Sequence, residues 1–185
     1  MKILKILFLP VLAANLLTGC GDSHPKKPVS KWAAAGTVSL QDAAFNGNVE
    51  AINQHIANGS DLNAKDPKTG STPLISAAVA GQTQAAKALI TGGANLNLQN
   101  NDGSTALMCA AFFGHADLVR ALLQAGADKN LRNKFGSTAL ESVQVPFESV
   151  QGIYDYLGTV LAPAGLKLDY AQIKAERPRI ARLLQ

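Results

Sequence analysis

The segment Gly-Ser-Thr-Pro-Leu at Gly70–Leu74 returns as Gly-Ser-Thr-Ala-Leu at Gly103–Leu107 and again at Gly136–Leu140, with the marker glycines 33 residues apart. A fixed period of that size describes a stack of one small supersecondary unit, each copy burying its apolar face only against its neighbours. Residues that recur at the period are accounted for by stacking. Residues that break it are where a particular chemistry has room to enter.

Between the markers the same chemistry repeats. Pro73 and Leu74 are followed by Ala77-Ala78, Gly81, then Ala85, Ala86, Leu89 and Ile90, and the unit closes on Gly92-Gly93-Ala94-Asn95-Leu96-Asn97. The next unit gives Ala110-Ala111, Gly114, then Leu118, Val119, Leu122 and Leu123, and closes on Ala125-Gly126-Ala127-Asp128-Lys129-Asn130. This reads as two short helices and a loop. Pro73 suits a first helical turn, where a missing N–H costs nothing. Paired alanines allow close helix approach, and Gly93 and Gly126 stand where a helix stop takes a left-handed residue. Val119, Leu122 and Leu123 lie on one stripe of a helix.

The pattern resembles the ankyrin repeat, whose Thr-Pro-Leu-His start survives as Thr72-Pro73-Leu74, with Ile75 and Met108 where the family has histidine. Its Gly-His second-helix start is present once, as Gly114-His115. The resemblance implies an all-α solenoid of about four repeats, each a helix pair with a β-hairpin or turn finger, over residues 36–140.

Upstream, Gly36, Leu40, Ala43-Ala44, Gly47, Ile52 and Gly59 keep the register, with one extra residue in the Asp66–Gly70 turn. Val38 and Ser39 stand there for Thr-Pro, and His55 falls where Leu89 and Leu122 stand, as suits a terminal repeat with one face open to water. Downstream, Leu140 is followed by no alanine pair and no glycine turn. Val150, Ile153, Tyr154, Leu157 and Leu161 trace a helical apolar face ended by Pro163-Ala164-Gly165, and Ile180, Leu183 and Leu184 return to the spacing of Val119, Leu122 and Leu123. Residues 141–185 are either a fourth repeat split by an insertion of about 28 residues or a separate helical cap.

The chain starts with Lys2 and Lys5, an apolar run over Ile6–Leu17 and Leu17-Thr18-Gly19-Cys20. The run is shorter than the roughly 20 apolar residues that span a bilayer, which favours an export signal over a retained membrane helix. Its end resembles the lipobox of bacterial lipoproteins. That resemblance implies a signal peptide over 1–19, lipidation at Cys20, a flexible tether over 20–35, and a membrane anchor. Gly21 in place of aspartate points, by the sorting rules of such lipoproteins, to the periplasmic face of the outer membrane. Cys109 is then the lone thiol of the exported chain, read as a small buried residue.

The formal charge of +4 includes Lys2 and Lys5, and Lys26, Lys27 and Lys31 lie in the tether against Asp22. The repeat body is near neutral, without the basic face that nucleic-acid binding calls for. His24, His55 and His115 form no metal-ligand spacing, and no nucleophile or phosphate-cradle motif occurs. The recurring Ser and Thr are helix starts. We therefore expect no cofactor, no metal, a monomer, and no enzyme; only Glu148, Tyr154 and Asp155 in the insertion offer even a weak catalytic alternative.

What remains is recognition. In ankyrin-like stacks the finger tips and first-helix ends line a concave groove, which here implicates Phe45, Asn46, Lys68, Asp102, Lys134 and Phe135, together with Phe112 and Phe113. Aromatic side chains dominate binding hot spots because they bury much area at low entropic cost. Phe112 and Phe113 either stand in the groove or pack internally. The expected function is a lipid-anchored envelope module that binds another protein, in one version an immunity protein against a secreted toxin; a structural or stress-related scaffold is the alternative.

Overall fold

The structure is a computed structural model that describes residues 38–185. The signal segment, Cys20 and the tether lie outside the described residues. The chain forms helix pairs in succession: α1 (Leu40–Phe45) with α2 (Val49–Ala57), α3 (Pro73–Val79) with α4 (Thr83–Thr91), and α5 (Ala106–Phe112) with α6 (Ala116–Gln124). After α7 (Ala139–Gln144) come α8 (Phe147–Leu161), a short 3-10 turn (Ala162–Ala164) and α9 (Tyr170–Leu184). No strand occurs among the described residues, so the fold is an all-α repeat solenoid and its fingers are turns rather than β-hairpins.

Two layers result. The first helices stack in the order α1, α3, α5, α7, and the second helices stack behind them as α2, α4, α6, α9. The alanine pairs Ala43-Ala44, Ala77-Ala78 and Ala110-Ala111 are all fully buried, which is what lets the layers approach so closely. Thr72, Thr105 and Thr138 each accept a hydrogen bond from the backbone N–H three residues on, satisfying a donor that the helix start leaves orphaned. In the first repeat Ser39, in the place of Pro73, performs this task and the helix begins one residue later.

The fingers are held in register by backbone bonds between neighbours: Asn101 N–H donates to Thr69 O and Lys134 N–H to Asp102 O, both at 2.9 Å. Within them Asp66, Asn100 and Asn133 accept backbone N–H bonds with their side chains, so the fingers are ordered without a strand ladder. His55 closes the open end of the stack, its Nε2–H donating to Val38 O at 2.9 Å while Nδ1 accepts from the Ser60 hydroxyl.

The last segment returns the chain to the stack. α9 packs against α7 as α6 does against α5, and against α6 as α6 does against α4. α9 thus stands where a second helix stands in the preceding pairs, and α8 with its turn lies between α7 and α9 along the chain. The spacing argument is corrected by one residue at the end of α9, where Leu184 rather than Leu183 is buried. α9 is one continuous helix, so its buried stripe of Ile173, Arg177, Ile180 and Leu184 is set by turns upstream of the repeat register.

Candidate protein-binding surface

The groove between the fingers and the first helices is where the expected binding residues fall. Asn46, Lys68 and Lys134 are exposed, and Phe45 and Phe135 are half-buried. Asp102, Phe112 and Phe113 are not open to a partner: they are 8%, 5% and 5% exposed. For the two phenylalanines internal packing is the correct reading, and what covers Phe112 is the insertion rather than a neighbouring repeat.

α8 lies over this face by a stripe of Phe147, Val150, Tyr154, Leu157 and Leu161, all buried. The Tyr154 ring stacks between Phe112, at 4.6 Å between centroids, and Phe147, at 5.3 Å. Phe112 in turn meets Phe113 edge-on at 5.3 Å. Offset stacks and edge contacts of this kind add about 0.5–1.5 kcal/mol each beyond the area they bury. A cavity of about 20 Å³ remains between Leu157, Cys109, Phe113 and the finger residues Asn100, Asp102 and Asn133, which is room for a single water.

Phe112 stands where Phe45 and Val79 do, an apolar position throughout, whereas the other two covered positions change character. Cys109 and Phe113 occupy the places of Asp42 and Asn46 in the first repeat, which are exposed, and of Ser76 and Ala80 in the second, which are half-exposed. The repeat pattern alone could not say what Phe112 and Phe113 touch.

Arg177 was missed by sequence reasoning. It is 4% exposed and has no carboxylate partner among the described ion pairs. Its guanidinium donates instead to the carbonyls of Ser142 and Val145 at the end of α7 and to the Tyr154 hydroxyl at 3.1 Å. At the matching places one repeat earlier, Cys109 O accepts from Phe113 N–H and Phe112 O from the Tyr154 hydroxyl. The five-donor fork of one arginine serves both carbonyls at the end of α7. The available signal was a charged residue in register with Ala116, a buried position.

The electrostatics follow burial. Desolvation raises the Asp102 carboxyl, opposed by Lys134, and pushes the Cys109 thiol up to about 12, with the Asp102 charge adding to it. Such a thiol is protonated and unreactive at neutral pH. Burial also raises the Tyr154 hydroxyl to about 12 against the pull of Arg177. His115 is lowered by burial, with its hydrogen bond to Val79 O opposing the shift. The one free cysteine among the described residues is Cys109, and those residues hold no group of three or more metal-ligating side chains. No helix among them is long and apolar enough to cross a membrane. Glu148 and Asp155 are exposed on α8, and Glu148 pairs with Lys174 at 2.6 Å.

A search of curated proteins returns no match. The family model described as "Ankyrin repeats (3 copies)" matches residues 40–133, half of the chain, and spans the first three helix pairs together with the fingers that join them. The recurring threonine caps, buried alanine pairs and stitched fingers are the physical content of that match: the chain belongs to the ankyrin-repeat family.

Proposed function

We propose that this chain is a lipid-anchored module of a bacterial envelope, held through Cys20, that captures a protein partner on its fingers and first-helix ends. Ankyrin repeats are protein-interaction modules, and an all-helical stack of this kind is typically a binding scaffold rather than an enzyme. The observation that carries the reading is that Asn46, Lys68 and Lys134 stand exposed, and Phe45 and Phe135 half-buried, at finger and first-helix-end positions of a repeating frame. Aromatic groups on rigid supports lose little entropy on binding.

A tether of about 16 residues reaches at most ~50 Å when extended, enough to present the stack away from a membrane surface. Two or more acyl chains on Cys20 would make the anchoring stable where one is marginal. Cys20→Ser should move the protein from the membrane to the soluble fraction; continued membrane retention counts against the anchor. Phe45→Ala and Phe135→Ala, each keeping the wild-type melting temperature, should reduce partner capture in a pull-down with the lipid-free chain.

Within this reading, the small size and envelope address suit an immunity protein that binds a secreted toxin. Cells lacking the gene should then lose survival against toxin-producing neighbours, and unchanged survival favours a scaffold role instead.

A further inference from the structure

The stack closes without α8. α9 packs directly on α7 and α6, and Arg177 still meets the Ser142 and Val145 carbonyls from within that pairing. Every other helix lies close along its backbone on at least two neighbours, whereas the α8 backbone makes its one extensive close approach to the turn that follows it. Its hold on the stack is one stripe of side chains, the Tyr154 hydroxyl on Phe112 O and Arg177, the Tyr170 hydroxyl on Tyr154 O, and the exposed Lys174–Glu148 pair.

The helix itself is weakly built. No side chain caps its start at Pro146, and Gly152 sits mid-helix in open space, where an added Cβ would meet nothing within 4 Å. Glycine in a helix interior without a packing reason weakens that helix. Both ends carry a natural bend: Val145 is extended, and Gly165 stands in the left-handed region at φ +85°.

We propose that α8 is a lid. It detaches and unwinds between the Val145–Pro146 segment and the Ala162–Gly165 turn, the rest of the stack remains folded, and Cys109, Phe112 and Phe113 are laid bare. Its use, to gate the groove of the third and fourth repeats, rests on the protein-binding reading above; the motion does not.

Cys109 reports the motion, because its thiol lines the cavity that Leu157 of α8 closes. In the Cys20→Ser chain it is the sole thiol, and its labelling by dithionitrobenzoate can be followed at urea concentrations below the unfolding transition. The lid predicts labelling faster than global unfolding allows, with a urea dependence smaller than the global one because only the α8 interface is exposed. Gly152→Ala should slow this labelling about fivefold by favouring the helix. Labelling that follows global unfolding with its full urea slope overturns the lid, and so does sub-global labelling that Gly152→Ala leaves unchanged. No partner enters the measurement, so a failure here is distinct from a failure to find one.

Discussion

The hydroxyl of Tyr154 donates to the carbonyl of Phe112 at 2.7 Å, across 42 positions of sequence, while the two rings stack at 4.6 Å. Phe112 ends α5, and its carbonyl is one that a helix leaves without a partner. One repeat earlier the carbonyl of Val79 faces the same problem and is met by Nε2 of His115 at 3.4 Å. The third repeat has no following histidine to help it, and the insertion supplies a tyrosine instead.

Tyr154→Phe keeps the stack of rings and removes the donor. We expect a loss of about 1–3 kcal/mol in urea unfolding, the cost of leaving a buried carbonyl bare. Tyr154→Ala also opens a cavity and should cost more, about 3–5 kcal/mol. A Tyr154→Phe chain as stable as wild type would mean that the Phe112 carbonyl finds another partner.

Arg177→Met keeps the apolar stem and removes the fork that closes α7. Removing a desolvated charge offsets part of the damage, but the Ser142 and Val145 carbonyls lose their donor, and we expect a net loss of about 1–3 kcal/mol. Arg177→Lys should not restore the stability, since a single ammonium cannot reproduce the planar fork. Equal or higher stability of Arg177→Met would show that the turn manages without it.

Gly114 and Gly126 separate two costs of the same substitution. Both have φ in the left-handed region, +79° and +91°, but a Cβ on Gly114 would lie 3.0 Å from the Ile173 backbone and one on Gly126 would meet nothing. Gly126→Ala should cost about 1–2 kcal/mol from conformation alone. Gly114→Ala should cost clearly more, because α9 must shift, and similar melting temperatures for the two variants would contradict that close approach.

His115 gives the stack a pH dependence of defined sign. Its folded pKa lies below the ordinary value near 6.5, so above that value both folded and unfolded chains hold it neutral. As pH falls through 6.5 the unfolded chain takes up a proton that the buried ring resists, and stability drops. Between pH 7.5 and 5.5 the wild-type melting temperature should therefore fall more than that of His115→Gln; parallel curves would remove His115 from the account.

Much of the fold was legible because an ankyrin stack is built from local decisions. Thr72, Thr105 and Thr138 cap the helices that follow them at once, and Ala77-Ala78 and Ala110-Ala111 meet partners one period away, so the 33-residue recurrence carries nearly the whole frame. The candidate surface was half legible. Asn46, Lys68 and Lys134 stand exposed where the pattern puts them, while the placement of Phe112, Phe113 and Asp102 depends on a segment outside the pattern.

The sequence by itself determined the repeat, its register from residue 40 onward, the interruption after Leu140 and the apolar stripe of α8. A stripe says that a helix must bury one face; it does not say against what, because burial of apolar surface has no direction. Only the tertiary structure decided that α9 packs on α7 and α6, that α8 folds back over Cys109, Phe112 and Phe113, and that Arg177 serves the carbonyls at the end of α7. Those contacts join residues 32–42 positions apart with no period to relate them. They are fixed by which unsatisfied carbonyls and open faces the stack leaves behind once its repeats have closed.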